Sequence, residues 1–149
     1  MAELIALAKA QPGKLHYGSS GVAAANHLAG ELFKSMAGIE IVHVPYKAAT
    51  AALVDLTSGR IQLMFASPPS VMALLRSGRL RALATAGTKR AAQLPDVPTV
   101  MESGLPGYQN TIWQALLAPA RMPKPIIDRL HREVADIVKQ PELLERLQA

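Results

Sequence analysis

Cysteine is absent from the 149 residues, which excludes disulfide frameworks, thiol nucleophiles and cysteine-bound zinc or iron–sulfur centres. The redox character of the compartment stays open. Aromatics are scarce, with two Phe, three Tyr and one Trp, so a base-stacking surface has few residues to draw on. No stretch reaches the ~18 consecutive apolar residues of a membrane span. The first ten residues, Met1–Ala10, carry Glu3 and lack a basic start followed by a long apolar core, unlike a secretory signal peptide. The chain is therefore expected to insert directly into no membrane and to carry no signal peptide of its own. Acidic residues are missing from Leu56 to Leu94, where Arg60, Arg76, Arg79, Arg81, Lys89 and Arg90 stand. That region should be electropositive. Nucleic acid is not the expected partner, because Phe65 alone could stack there and no RRM, zinc-finger or helix-turn-helix pattern is present.

What is present is a composition that can fold. Half the residues are hydrophobic and 18% are charged, and a chain about one domain long can bury a core without metals or disulfides. Intrinsic disorder is not expected. Sixteen Lys and Arg against eleven Asp and Glu give +5, a modest excess that steers anions toward the protein.

Periodicity along the chain predicts alternating helices and strands. Glu3–Gln11 sets Leu4, Leu7 and Ala8 on one helical face, and Pro12-Gly13 stops it. Leu15–Gly18 reads as a strand, followed by a small-residue loop and a helix from Asn26 in which Leu28, Leu32, Phe33 and Met36 recur, with Gly38 as its stop. A strand over Ile39–Val44 with a helix over Thr50–Ser58, and a strand over Ile61–Ala66 with a helix over Val71–Ser77, repeat the pattern. Leu80–Ala86 supplies a fourth strand, and a short helix is expected near Val97–Ser103. Strands returned by helices imply an α/β fold with a mostly parallel sheet flanked by helices. Thr111–Ala118 is expected as a strand, then a helix with Pro125 at its first position and a last helix over Glu142–Gln148.

In open parallel sheets, ligands lie beyond the carboxyl ends of the strands, which points to the loops at 18–25, 45–49 and 66–70. Gly18-Ser19-Ser20-Gly21-Val22-Ala23-Ala24-Ala25 combines tiny side chains with two hydroxyls. It could receive an anion on its main chain, or it could be small only to let a helix pack on the sheet. It fits neither a P-loop nor G-x-G-x-x-G, and His43-Val-Pro-Tyr46 offers no acid for a ribose. No nucleotide cofactor is expected. The spacing is wrong for a G-x-S-x-G elbow, and His16, His27, His43 and His131 form no H-x-x-x-H pair, so neither a serine elbow nor a metal centre is expected. These loops carry donors and cations without a paired acid and base, the pattern of a binding site. The competing class is a small α/β hydrolase or transferase acting on an acyl or phosphoryl anion, with Ser19 or Ser20 as nucleophile and His43 as base.

Tyr17-Gly-Ser-Ser-Gly21, His27-Leu-Ala-Gly-Glu-Leu-Phe33, His43-Val-Pro-Tyr-Lys47, Gln62-Leu-Met-Phe65, Gly78-Arg-Leu-Arg-Ala-Leu-Ala84 and Leu94-Pro-Asp-Val-Pro-Thr99 stand in this order. Together with Trp113, Leu116-Leu-Ala-Pro119 and Pro123-Lys-Pro-Ile-Ile-Asp-Arg-Leu130, they resemble the Bug family, the extracytoplasmic solute receptors of tripartite tricarboxylate transporters.

The resemblance implies a type II periplasmic-binding-protein fold whose two α/β lobes close over a small carboxylate and pass it to a membrane permease. It implies no enzyme activity and no cofactor, and a periplasmic location for the intact family member. Residues 1–13 would be a lobe-linking helix, 14–105 the second lobe, and 106–149 the crossover and partial return to the first lobe. A first lobe would then precede Met1 and further helices would follow Ala149. The ligand-binding residues implied are Ser19, Ser20, Gly21, Val22, Ala23 and Ala24, with Lys47, Ala66 and Ser67 from the neighbouring loops. Val22-Ala23 replaces a common Asn-Gly, Ala48 replaces a glycine, and Ala66 stands where several members carry an aspartate able to pair with a ligand ammonium.

Overall fold

A computed structural model describes residues 1–112 and 115–148, the last four of them as backbone. Two compact units divide at residue 111, Met1–Thr111 and Ile112–Ala149. In the first, α1 (Ala2–Ala10), β1 (His16–Ser19), α2 (Ala25–Ala37), β2 (Val42–Pro45), α3 (Ala49–Thr57), β3 (Leu63–Met64) and α4 (Pro68–Arg76) follow one another. The strands form a parallel sheet in the order β2-β1-β3. Gly18 of the central strand lies opposite Val44 on one side and Met64 on the other. The expected α/β class with a parallel sheet and flanking helices is the observed one.

The core gathers Leu15 and Tyr17 of the β1 segment, Phe33 and Ala37 of α2, Ile39 and Ile41 before β2, and Val100, Leu105 and Tyr108. Tyr108 reaches across it to donate its hydroxyl to the Ala29 carbonyl at 3.0 Å, and burial pushes its pKa up to about 12. The helix faces differ from those the large apolar residues predict. Alpha-1 packs through Leu4, Ile5 and Ala8, while Leu7 is 44% exposed. Alpha-2 buries Ala29, Gly30, Phe33 and Ala37 and leaves Leu28 54% exposed. The cause is the Tyr17 ring, which lies flat against Gly30: a β-carbon there would meet the ring Cζ at 2.6 Å and Cε2 closer still.

The fourth strand does not form at Leu80–Ala86. Thr85 makes one parallel bridge with Thr99, in which Thr85 N–H donates to the Pro98 carbonyl at 2.8 Å and Val100 N–H to the Thr85 carbonyl at 2.9 Å. Extending the ladder toward Leu83 would need an N–H at residue 98, which is proline, and the Glu102 carboxylate turns the segment aside by accepting the Thr99 N–H at 2.7 Å. Glu102 N–H returns to Thr99 Oγ1 at 3.0 Å, closing a capping box. The expected short helix is therefore a single turn, ended by Gly104 at φ 107.

In the second unit, α5 (Lys124–Ile137) and α6 (Pro141–Gln148) form as expected. The described residues of the expected strand at Thr111–Ala118 are irregular, and Trp113 and Gln114 lie outside the described residues. Ile126, Leu130, Val134 and Ile137 of α5 are all more than a third exposed.

The close approach at Gly30 predicts that Gly30→Ala, although it favours helix intrinsically, lowers unfolding free energy by about 1–3 kcal/mol through overpacking. Urea titration should show a lower midpoint, whereas Leu28→Ala on the exposed face should shift it far less.

Candidate functional site

The three strands end on one edge of the sheet, with the loop 20–24 after central β1, 46–48 after β2 and 65–67 after β3. Tyr46 N–H donates to the Ser19 carbonyl at 3.0 Å, so the first two loops leave the sheet together. Gly21 has φ 142 and Ala23 φ 64. A β-carbon on Gly21 would meet the Tyr46 carbonyl oxygen at an easy 3.9 Å, so the backbone angle, not lack of room, calls for glycine. Ala23 holds its left-handed angle at a cost of about 1–2 kcal/mol.

Side chains from α2 and β2 hold this path. Ser20 N–H and Oγ both approach Asn26 Oδ1 at 3.2 Å. Ala23 N–H donates to His27 Nδ1 at 3.0 Å, and Ala24 N–H to the Gly21 carbonyl at 3.3 Å. Ser19, fully buried, donates to the Gly21 carbonyl at 3.0 Å and accepts Gly21 N–H at 3.2 Å. Its single hydrogen being engaged, its contact with His43 Nε2 at 2.6 Å is one in which the ring donates. Four of the five amides at 20–24 are thus satisfied within the loop. Val22 N–H is not, nor are Ala25 and Asn26 N–H in the first turn of α2, whose cap Ala24 has no side-chain acceptor. These open donors sit at the positive end of the helix.

The rings beneath form a continuous stack. His43 lies 4.0 Å from His27 and 5.0 Å from Tyr17, both nearly parallel. Tyr17 donates to Glu31 Oε1 at 2.6 Å, and Lys34 pairs with the same carboxylate at 3.0 Å. Burial and the Glu31 carboxylate raise the Tyr17 pKa well above its ordinary value. Burial alone would raise Glu31, but Tyr17 and Lys34 hold it below the usual carboxylate range. Burial, then repulsion from His27 when that ring is charged, lowers the His43 pKa.

The structure brings Ser19, Ser20, Gly21, Val22, Ala23 and Ala24 into one turn. Lys47 is exposed beyond β2, Ala66 half-buried beyond β3, and Ser67 caps α4 from an exposed position. No hydrogen bond among the described residues ties these three to the β1 loop. Asn26 and His27 were not singled out from sequence, although polar residues in a helix's first turn are placed to reach back to preceding amides.

Three solved structures share this architecture. Rpa4515 of R. palustris, solved with adipate, is 37% identical and superposes with a TM-score of 0.93 over 99% of this chain and 50% of its own. The periplasmic binding protein BugD is 31% identical with a TM-score of 0.90, over 99% of this chain and 50% of its own. MatC of Rhodopseudomonas palustris, solved with malate, is 27% identical with a TM-score of 0.90 and the same coverage. The profile of the tripartite tricarboxylate transporter family receptor, TctC, matches residues 1–149. The chain belongs to this family. It spans about half the length of the curated relatives it matches, 44% for one from Pseudomonas sp. that is 36% identical.

TctC relatives are binding proteins, and the Ser19–His43 pair accords with that. The hydroxyl that a hydrolase would expose is inside the protein, bonded to its own loop, and His43 stacks on a second histidine in place of an orienting carboxylate.

The depressed His43 pKa sets a direction for pH dependence. Above the unfolded value of 6.5 the ring is neutral in both states, and its contribution to stability is fully present. As pH falls below that value the unfolded chain takes up the proton first, so stability declines until the folded pKa is passed. Glu31, Asp55 and Glu102, all held below their ordinary values, lose their contributions only at lower, carboxylate pH. Thermal melts should show Tm already falling between about pH 7 and pH 5.5, and His43→Phe should flatten that part of the profile.

Proposed function

We propose that this chain supplies one wall of a receptor site that captures a small carboxylate for a tripartite tricarboxylate transporter, outside the cytoplasmic membrane, and passes it to the membrane permease. The observation that carries the proposal is the match to the receptor family along residues 1–149. Adipate and malate in two relatives favour a dicarboxylate. Residues 14–105 are assigned to the second lobe, 1–13 to its linking helix and 106–149 to the return toward the first.

The carboxylate is placed against Val22, Ala25 and Asn26 N–H, the donors left open by the loop, with Ser19, Ser20, Gly21, Ala23 and Ala24 building the turn. Backbone donors at a helix N-terminus suit an anion because they are fixed in direction and already desolvated in part. Lys47 adds attraction from the β2 side. Ala66 and Ser67 close the β3 side, and the Ala66 methyl offers nothing to an ammonium. A buried charge without a partner costs several kcal/mol, so the expected ligand is a carboxylate lacking an amino group.

Titration with adipate, followed by amide resonances, should move Val22, Ala25 and Asn26 most. Gly21→Val, forced out of φ 142, should abolish the response. Ser19→Ala should weaken binding by about 0.5–1.5 kcal/mol. Succinate should bind and aspartate should not, and Ala66→Asp should move the preference toward aspartate. Perturbation confined to residues away from this edge would overturn the placement.

A further inference from the structure

The most unusual backbone in the loop is held by a titratable ring. Ala23 is the one non-glycine with positive φ among the described residues, at 64°, and its N–H donates to His27 Nδ1 at 3.0 Å. An Nδ1 that accepts carries no proton, so the neutral ring bears its hydrogen on Nε2, which lies 4.0 Å from Glu31 Oε1. Protonation would put an N–H on Nδ1, facing the Ala23 N–H donor to donor. The bond cannot survive that change, and Ala23 then loses the side-chain partner that holds it in the left-handed region.

We propose that His27 is a positioning residue for the carboxylate loop, fixing Ala23 through Nδ1 while its ring is neutral, so that acidification releases the loop and weakens anion binding. This rests on the carboxylate site proposed above and adds its regulation. Val22, which carries the open amide, is joined directly to Ala23, so a change in the Ala23 angle turns that donor away from its neighbours at Ala25 and Asn26. The ring is oriented from each side that packs on it. His43 of β2 stacks on one face at 4.0 Å, backed by Tyr17 of β1, while Glu31 and its partner Lys34 lie further along α2. His43 is anchored in turn by Ser19, so the two rings tie both ends of the loop to the sheet.

The test uses His27→Asn, because an Asn Oδ1 takes the place of Nδ1 as acceptor and cannot be protonated near neutral pH. Adipate affinity is measured on both proteins between about pH 7.5 and pH 5.5. Ligand protonation is common to both and cancels in their ratio. Loss of one neutral hydrogen bond predicts that wild type loses about three- to tenfold more affinity than His27→Asn over this range. In parallel, the Ala23 amide resonance should shift with the same midpoint as the His27 ring in wild type and stay still in the variant. Parallel affinity profiles, or an Ala23 amide that ignores the titrating ring, would overturn the proposal. Failure of adipate to bind either protein would count against the carboxylate site, while the Ala23 resonance would still decide the role of His27.

Discussion

The contact between the Tyr17 ring and the bare backbone of Gly30 governs this fold. A strand and a helix keep a distance set by the side chains between them; here the Tyr17 ring meets no β-carbon, and the space a β-carbon of residue 30 would need is filled by the ring. The Tyr17 hydroxyl then reaches Glu31 at 2.6 Å, one residue along the helix, so the same ring fixes both the separation and the rotation of α2. With its rotation fixed, the first turn of α2 presents Asn26 and His27 to the loop that ends β1. The geometry of the proposed ligand edge is thus inherited from packing in the core.

A loop built this way divides its backbone donors into two groups. Those of Ser20, Gly21, Ala23 and Ala24 are satisfied internally and give the turn its shape. Those of Val22, Ala25 and Asn26 are left open. A site assembled from donors that need no rearrangement loses little entropy when a ligand arrives. The left-handed Ala23 is the strained member of this arrangement, and its strain persists because a side chain from α2 over-determines its position.

The alternation of strands and helices was legible because β-branched runs and Gly or Pro stops punctuate the chain, and Gly38, left-handed at φ 59, ends α2 where the sequence placed the stop. The face α2 buries was not legible. Periodicity weighs large apolar residues, so it favoured Leu28 and Met36, whereas the core takes Ala29, Gly30 and Ala37 because the bulk is supplied by Tyr17 from the strand. The fourth strand failed for a different reason: Leu80–Ala86 has strand-like composition, but its partner segment has Pro98 where the ladder needs an N–H and gives the Glu102 amide to Thr99. Competition of that kind lies between two segments and has no trace in the one being read. The loop at 18–25 stood out by its small residues. Its supports, Asn26 and His27, did not, since a polar residue in a first helical turn looks like any solvated one.

Charge plays a smaller part at the ligand edge than the composition suggests. Arg76, Arg79 and Arg81 stand at or beyond the carboxyl end of α4, whereas Ser67 caps its amino end. Nine residues of helix place Arg76 about 13 Å from that cap. At physiological ionic strength the Debye length is about 8 Å, so their field is largely screened at the loop. They can bias the approach of an anion at low salt, but they cannot hold it. Lys47 follows β2 and is exposed, and an exposed ammonium contributes little through solvent. At the proposed site, the attraction that would survive in salt is that of the oriented amides of Val22, Ala25 and Asn26 at the N-terminus of α2, whose dipoles act at contact distance. For that reason the proposed site depends on the backbone path at Ala23 more than on the several arginines that contribute to the chain's net charge.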